Sequence, residues 1–169
     1  MWRILGSIGI VAAALLFAPV LLAFISKVRI RRNFDYAMRC LAKRAVWLAR
    51  KEGVTLDYSP ASIEQVEKLL GELHNGHVQN PMPEEEITRL SRRWGAYIGE
   101  IMKRVRPAKW RRDSEKMGIA SMPLIFDDVE AFPCAWAYKR IVDGPEDNVV
   151  LKFKVISDQS LRRALDLGK

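Results

Sequence analysis

Three features of the sequence predict an α+β protein carried on an N-terminal transmembrane helix. From Ile4 to Ile25, 22 residues carry no charge. Between Phe34 and Val105, apolar residues recur at spacings of three and four, the period of amphipathic helices. After Met122 the pattern changes to short apolar runs, one of which alternates as a half-buried strand does. Helices first and strands after them imply helices packed on a small antiparallel sheet. The expected organisation is a transmembrane anchor over 1–26, a basic juxtamembrane helix over 27–53 and a soluble α+β domain over 54–169.

The uncharged run would span roughly 33 Å as a helix at about 1.5 Å per residue, enough for a hydrocarbon core of about 30 Å. A cleavable signal peptide needs a shorter apolar stretch of about 7–15 residues and a small-x-small site. Leu22-Ala-Phe-Ile-Ser26 offers no such site, so the anchor is expected to stay. Gly9 and Ala13 are small residues four apart, a spacing that permits close helix–helix approach and a homo-oligomer through that face.

Orientation follows from charge. One basic residue, Arg3, precedes the run, whereas residues 27–52 carry nine, among them Lys27, Arg29, Arg31 and Arg32, against two acids. Lysine and arginine flanking a span accumulate on the cytoplasmic side, so the domain is expected there, in the inner (plasma) membrane. The same cations suit an anionic leaflet, at about 1 kcal/mol each near the surface. The formal charge of +8 is accounted for by Arg3 and this segment, because residues 53–169 hold 18 basic and 18 acidic side chains. Nucleic-acid binding by the whole domain is therefore disfavoured. Two cysteines far apart, Cys40 and Cys134, fit a reduced compartment better than a disulfide scaffold.

The elements follow in order. Phe34, Met38, Leu41, Ala45 and Leu48 make an apolar stripe on a helix that Gly53 ends. Val54–Tyr58 connects it to a helix over about 60–74, opened by Ser59-Pro60 and buried through Ile63, Val66, Leu69, Leu70 and Leu73. Residues 74–83 read as a loop. Glu84, Glu85 and Glu86 then place carboxylates at the positive end of the strongest helix, which runs to Pro107. Gly95 and Gly99 in its interior each cost about 1 kcal/mol against alanine, which implies that another element passes close. Met122–Phe126, Phe132–Val142 and Val149–Ile156 are expected strands, the last two forming a hairpin about the turn 143–148, and a short helix ends the chain with Leu161, Ala164, Leu165 and Leu167.

Leu90-Ser-Arg-Arg-Trp-Gly-Ala-Tyr-Ile-Gly-Glu100 followed by Trp110, after Asp57-Tyr-Ser-Pro-Ala-Ser-Ile63, resembles small uncharacterised bacterial domains with a G-x-x-x-G-E helix and a tryptophan-bearing strand. The resemblance covers roughly residues 54–156. It implies an α+β fold and a bacterial source, and brings no activity with it.

Several residues have the side chains that chemistry would need. His74 and His77 beside Glu84–Glu86 have metal-ligand character, but a loop of Asn, Gly and Pro does not preset a coordination geometry. Asp127, Asp128 and Glu130 read as an acidic turn, and Glu100 as a buried carboxylate paired with Arg104. No phosphate loop, nucleophile elbow or base near Cys134 is present, so no enzyme activity and no cofactor or metal is expected. Six cations in ten residues (Lys103, Arg104, Arg106, Lys109, Arg111 and Arg112) surround Trp110 and form a candidate anion site. The expected function is that of a membrane-anchored binding or adaptor protein, or a subunit of a membrane-bound assembly. Its expected partners are anionic lipid and a protein. The alternatives are a nucleic-acid or nucleotide sensor using residues 103–112 and, were the topology reversed, an envelope-facing immunity-type protein.

Overall fold

A computed structural model describes residues 33–126 and 129–157. The expected anchor with Gly9 and Ala13, the basic residues Lys27, Arg29, Arg31 and Arg32, the pair Asp127–Asp128 and the expected C-terminal helix lie outside the described residues. Among the described residues, no helix is long and apolar enough to cross a membrane.

Contacts divide the chain into Met1–Ala37 and Met38–Lys169. Of the first unit only the start of helix α1 (Phe34–Lys51) is described. Asn33 opens α1 by accepting a hydrogen bond on Oδ1 from the Tyr36 amide at 3.1 Å, a side-chain cap of an otherwise orphan donor. From Met38 onward α1 buries Met38, Ala42, Ala45 and Ala49. That stripe is rotated from the expected one, with Leu41 and Leu48 left half-exposed. Gly53, at φ +73°, ends the helix in the left-handed conformation that glycine adopts at least cost.

Helix α2 (Ser62–Gln79) is longer than the sequence pattern suggested. The expected loop from His74 is helical because tertiary partners outweigh the asparagine and glycine there. His74 Nδ1 hydrogen-bonds the Ile141 carbonyl at 2.9 Å, and His77 Nδ1 accepts the Met82 amide at 3.0 Å just beyond the helix end. Helix α3 (Glu84–Val105) has the bounds its carboxylate start and Pro107 stop imply. From Trp94 to Gly99 every residue of α3 is buried, and Ile101 and Met102 continue the run. The middle of this helix is the centre of the core.

Three short strands follow: β1 (Lys109–Trp110), β2 (Leu124–Ile125) and β3 (Glu130–Ala131), antiparallel in the order β1-β2-β3. Trp110 pairs with Leu124, and Leu124 with Ala131. These three lie on one buried face.

The expected hairpin over 132–156 is absent. Both of its runs are helices: α4 (Pro133–Val142) and α5 (Val149–Ser157), joined by a 3₁₀ turn at Pro145–Asp147. Aromatic and β-branched content suggested strands, but burial follows the helical period. Cys134, Ala137 and Ile141 are buried on α4, and Val149 and Phe153 on α5. Leu151 and Val155, the inward residues of the expected strand, are 62% and 38% exposed. Pro133 sits at the start of α4, where its missing N–H costs nothing. Asn148 Oδ1 accepts the Leu151 amide at 3.1 Å, capping α5. Among the described residues the fold is α+β, with five helices packed on a small three-stranded antiparallel sheet.

Two contacts tie these helices together. A Cβ built on Gly95 would lie 2.5 Å from the Cys134 amide nitrogen and 2.7 Å from the Pro133 carbonyl carbon, so α3 and α4 touch backbone to backbone. Glu67 on α2 accepts the Arg140 Nε–H on one oxygen at 2.5 Å and the Val149 amide on the other at 2.9 Å, joining α2, α4 and α5.

Candidate functional site

The cationic segment that ends α3 is divided by the fold into parts with different roles. Trp110 is 5% exposed, its ring lying against Gly99, where a Cβ would come within 2.6 Å of Cη2. Its indole N–H donates to Glu100 Oε1 at 3.0 Å, and Lys103 Nζ donates to the same oxygen at 3.2 Å. Glu100 therefore pairs with Trp110 and Lys103 rather than with Arg104. Arg104 turns elsewhere. Its guanidinium lies 4.6 Å from the centre of the Tyr58 ring, and Nη1 donates to the Asp57 carbonyl at 3.2 Å. Arg106 lies over Phe126 at 5.3 Å, a cation–π distance.

What remains is a cleft of about 450 Å³ between the end of α3, the Pro107-Ala108 linker and strands β1 and β2. Lys103, Lys109 and Arg111 supply its cations, and Pro107, Ala108, Ile125 and Phe126 its apolar lining. No described carboxylate lines it. Lys109 and Arg111 are exposed on β1 and just after it, held by the Trp110–Leu124 pairing and by the Arg111 amide donating to the Pro123 carbonyl at 2.9 Å. Arg112 is not among the lining residues. Chemically the cleft suits a ligand with both an anionic group and an apolar face. Trp110, the one tryptophan of the segment, is inside the core and offers the cleft no stacking face.

The other candidates have structural roles. His74 and His77 each hold a backbone group, and among the described residues no group of three or more His, Cys, Asp or Glu could hold a metal ion. Glu130 accepts the Ser114 Oγ–H at 2.5 Å, which pins the 111–123 excursion to β3. Burial pushes the Cys134 thiol up to about 12, so it stays protonated and unreactive at neutral pH. The Ser59 N–H and hydroxyl hold the Asp57 carboxyl below the ordinary range, beside a buried pair in which Ser62 Oγ lies 2.9 Å from the Tyr97 hydroxyl.

Sequence reasoning missed a second basic cleft, built by Arg44 from α1 and by Arg89, Arg92 and Arg93 from α3. The signal was available: 89, 92 and 93 fall on one helix face at i, i+3 and i+4. It also missed an apolar pocket of about 270 Å³ between α1, α2 and α3, lined by Leu48, Leu69, Leu73, Leu90 and Trp94 with Glu52 and Glu72. Compared with family models, curated proteins and solved structures, the chain matches none.

Proposed function

We propose that this chain is a single-pass, membrane-tethered binding protein of a bacterial inner membrane. Its domain faces the cytoplasm and captures a partner protein by an acidic, partly apolar segment at the Lys103–Lys109–Arg111 cleft. The observation that carries this reading is the cleft itself, where Lys109 and Arg111, with Lys103 beside its partner Glu100, surround an apolar lining. Charge sets the attraction and the on-rate, and the apolar lining supplies the burial that holds the complex. The uncharged run 4–25 and the cations after it supply the tether and its orientation.

A nucleic-acid or nucleotide sensor would use the same cations, but stacking platforms carry much of sequence-tolerant single-strand binding, and Trp110 is enclosed. Binding rather than catalysis also fits a buried, protonated Cys134 and histidines engaged with the backbone.

The test uses the full chain in neutral detergent and fluorescence anisotropy with two probes, a Glu/Leu-rich peptide and a single-stranded oligonucleotide of equal charge. The peptide is expected to bind more tightly, and Lys109→Glu/Arg111→Glu to abolish it with the fold retained. Tighter oligonucleotide binding would transfer the cleft to the sensor reading. A C-terminal reporter that is active on one side of the membrane checks the topology. A periplasmic result would refute the cytoplasmic adaptor and favour an envelope-facing role.

A further inference from the structure

The N-terminal half of α3 lies beside α1, and the cleft between them measures about 350 Å³, within the range of small-ligand sites. Four guanidiniums line it. Arg89, Arg92 and Arg93 project from one face of α3, and Arg44 comes from α1, between the buried Ala42 and Ala45. Thr88 adds a hydroxyl and Leu41 an apolar edge; Glu85 is the one carboxylate among the lining residues.

The pairing of these arginines is incomplete. Arg89 forms an ion pair with Glu86 one turn earlier. Arg44, Arg92 and Arg93 have no ion pair or side-chain hydrogen bond among the described residues. Arg93 is half-buried, and its charged form is disfavoured first by that burial and then by Arg89 and Arg44. A guanidinium does not relieve such repulsion by losing its proton under any ordinary condition. Ala42 and Ala45 of α1 and the middle of α3 are buried, so the four side chains start from backbone positions beside one cleft. An anion entering the cleft removes the repulsion and supplies the missing acceptors.

We propose that this cleft is a binding site for a phosphate group, held by Arg44, Arg92 and Arg93 in bidentate contacts, with Arg89 and Thr88 at its edge. The planar guanidinium fork matches phosphate geometry, and several forks converging on one cleft favour a dianion or a pair of phosphates over a single carboxylate. Leu41 provides for an apolar portion of the ligand beside its anionic head. A lipid headgroup with two phosphodiesters and a free diphosphate share this chemistry. The site is separate from the acidic-segment cleft at the other end of α3 and does not depend on it.

Calorimetry on the full chain in neutral detergent tests the assignment, with Lys109→Gln/Arg111→Gln as the background so that the second basic cleft does not contribute. Inorganic pyrophosphate is one probe, and cardiolipin in mixed micelles, against phosphatidylcholine, is the other. Arg44→Gln/Arg93→Gln is expected to weaken binding by about tenfold or more, the scale of one or two lost charge-assisted hydrogen bonds. Lys43→Gln/Arg50→Gln removes the same charge from α1 outside the cleft, and should cost less than about threefold through the general field alone. Cardiolipin binding without pyrophosphate binding assigns the site to a lipid headgroup; comparable binding of both assigns it to free phosphate. Absence of binding by both probes, or equal losses in the two double variants, overturns the proposal. Circular dichroism checks that the variants fold, and the exposed Arg92→Gln provides the same readout should the half-buried Arg93 prove needed for folding.

Discussion

Gly95→Ala is the perturbation that tests the core most directly. The added methyl would sit 2.5 Å from the Cys134 amide nitrogen and 2.7 Å from the Pro133 carbonyl carbon. Optimal separation of non-bonded heavy atoms is about 3.5–4.0 Å, so the overlap approaches 1 Å against backbone that no rotamer change relieves. Helix α4 must retreat from α3, and a radial gap of about 0.5–1 Å forfeits roughly a quarter to a half of the dispersion energy of each contact it opens. Overpacking of this kind costs about 1–3 kcal/mol, and backbone against backbone belongs at the upper end. Alanine gains about 1 kcal/mol over glycine in helix propensity, which leaves a net loss of about 2 kcal/mol. For a domain of this size that lowers the melting temperature by about 6–10 °C. The internal control is Gly76→Ala on α2, where the new Cβ has nothing within 4 Å and the propensity gain should appear alone, as about 0.5–1 kcal/mol of added stability. Thermal unfolding followed by near-ultraviolet circular dichroism measures both. If Gly95→Ala is as stable as the parent while Gly76→Ala stabilises, then α4 does not pack on α3 at Gly95. The helical reading of residues 133–142 would fall with it.

Three further outcomes are expected. Glu67→Ala leaves Arg140 charged and buried and the Val149 amide without its acceptor, and should cost about 3–5 kcal/mol in chemical denaturation; the double variant Glu67→Met/Arg140→Met should recover most of it, and failure to recover would show that volume rather than charge decides there. Cys134 carries a thiol raised from 9.0 to about 12 by burial, so the folded state holds its proton where the unfolded chain releases it. Its contribution is full below pH 9 and lost as pH rises towards 12, and Cys134→Ala should flatten that part of the stability–pH curve. Trp110→Phe removes the N–H that Glu100 accepts and should cost about 1–3 kcal/mol, yet leave peptide affinity at the Lys109–Arg111 cleft unchanged; loss of affinity without loss of fold would show that the ring takes part in binding.

The sequence made α1 and α3 legible because each has a strong period and a chemical stop, Gly53 for one and Pro107 for the other. It concealed α4 and α5 because short helices rich in Trp, Tyr, Val and Phe carry the composition of strands, and nine or ten residues give a period little room to declare itself. What decides them is remote: Gly95 opens a slot for the start of α4, and Glu67 receives the first amide of α5. The extension of α2 was hidden for the same reason, since the partner of His74 is a carbonyl 67 residues away. The cation cluster at 103–112 was visible as composition, but only the fold separates Trp110 and Arg104 from the residues that line the cleft.

Residues 53–169 sum to zero charge, and that sum conceals how the two signs are used. Many of the acids are engaged internally: Glu67 with Arg140, Glu100 with Trp110 and Lys103, Glu130 with Ser114, Asp147 with Lys152, and Glu86 with Arg89. Glu67 joins helix to helix, Glu100 helix to strand and Glu130 loop to strand, whereas Glu86 and Asp147 make local pairs, so stability constrains the first three carboxylates most. The side chains of Arg44, Arg92, Arg93, Lys109 and Arg111 have no such partners among the described residues. A domain neutral in total thus presents two basic clefts, one beside each end of α3, while the neutral middle of that helix is buried. Net charge governs long-range steering and solubility. Recognition depends instead on where the fold groups its charges, and around Arg44, Arg92 and Arg93, and again around Lys109 and Arg111, the grouped charges are positive.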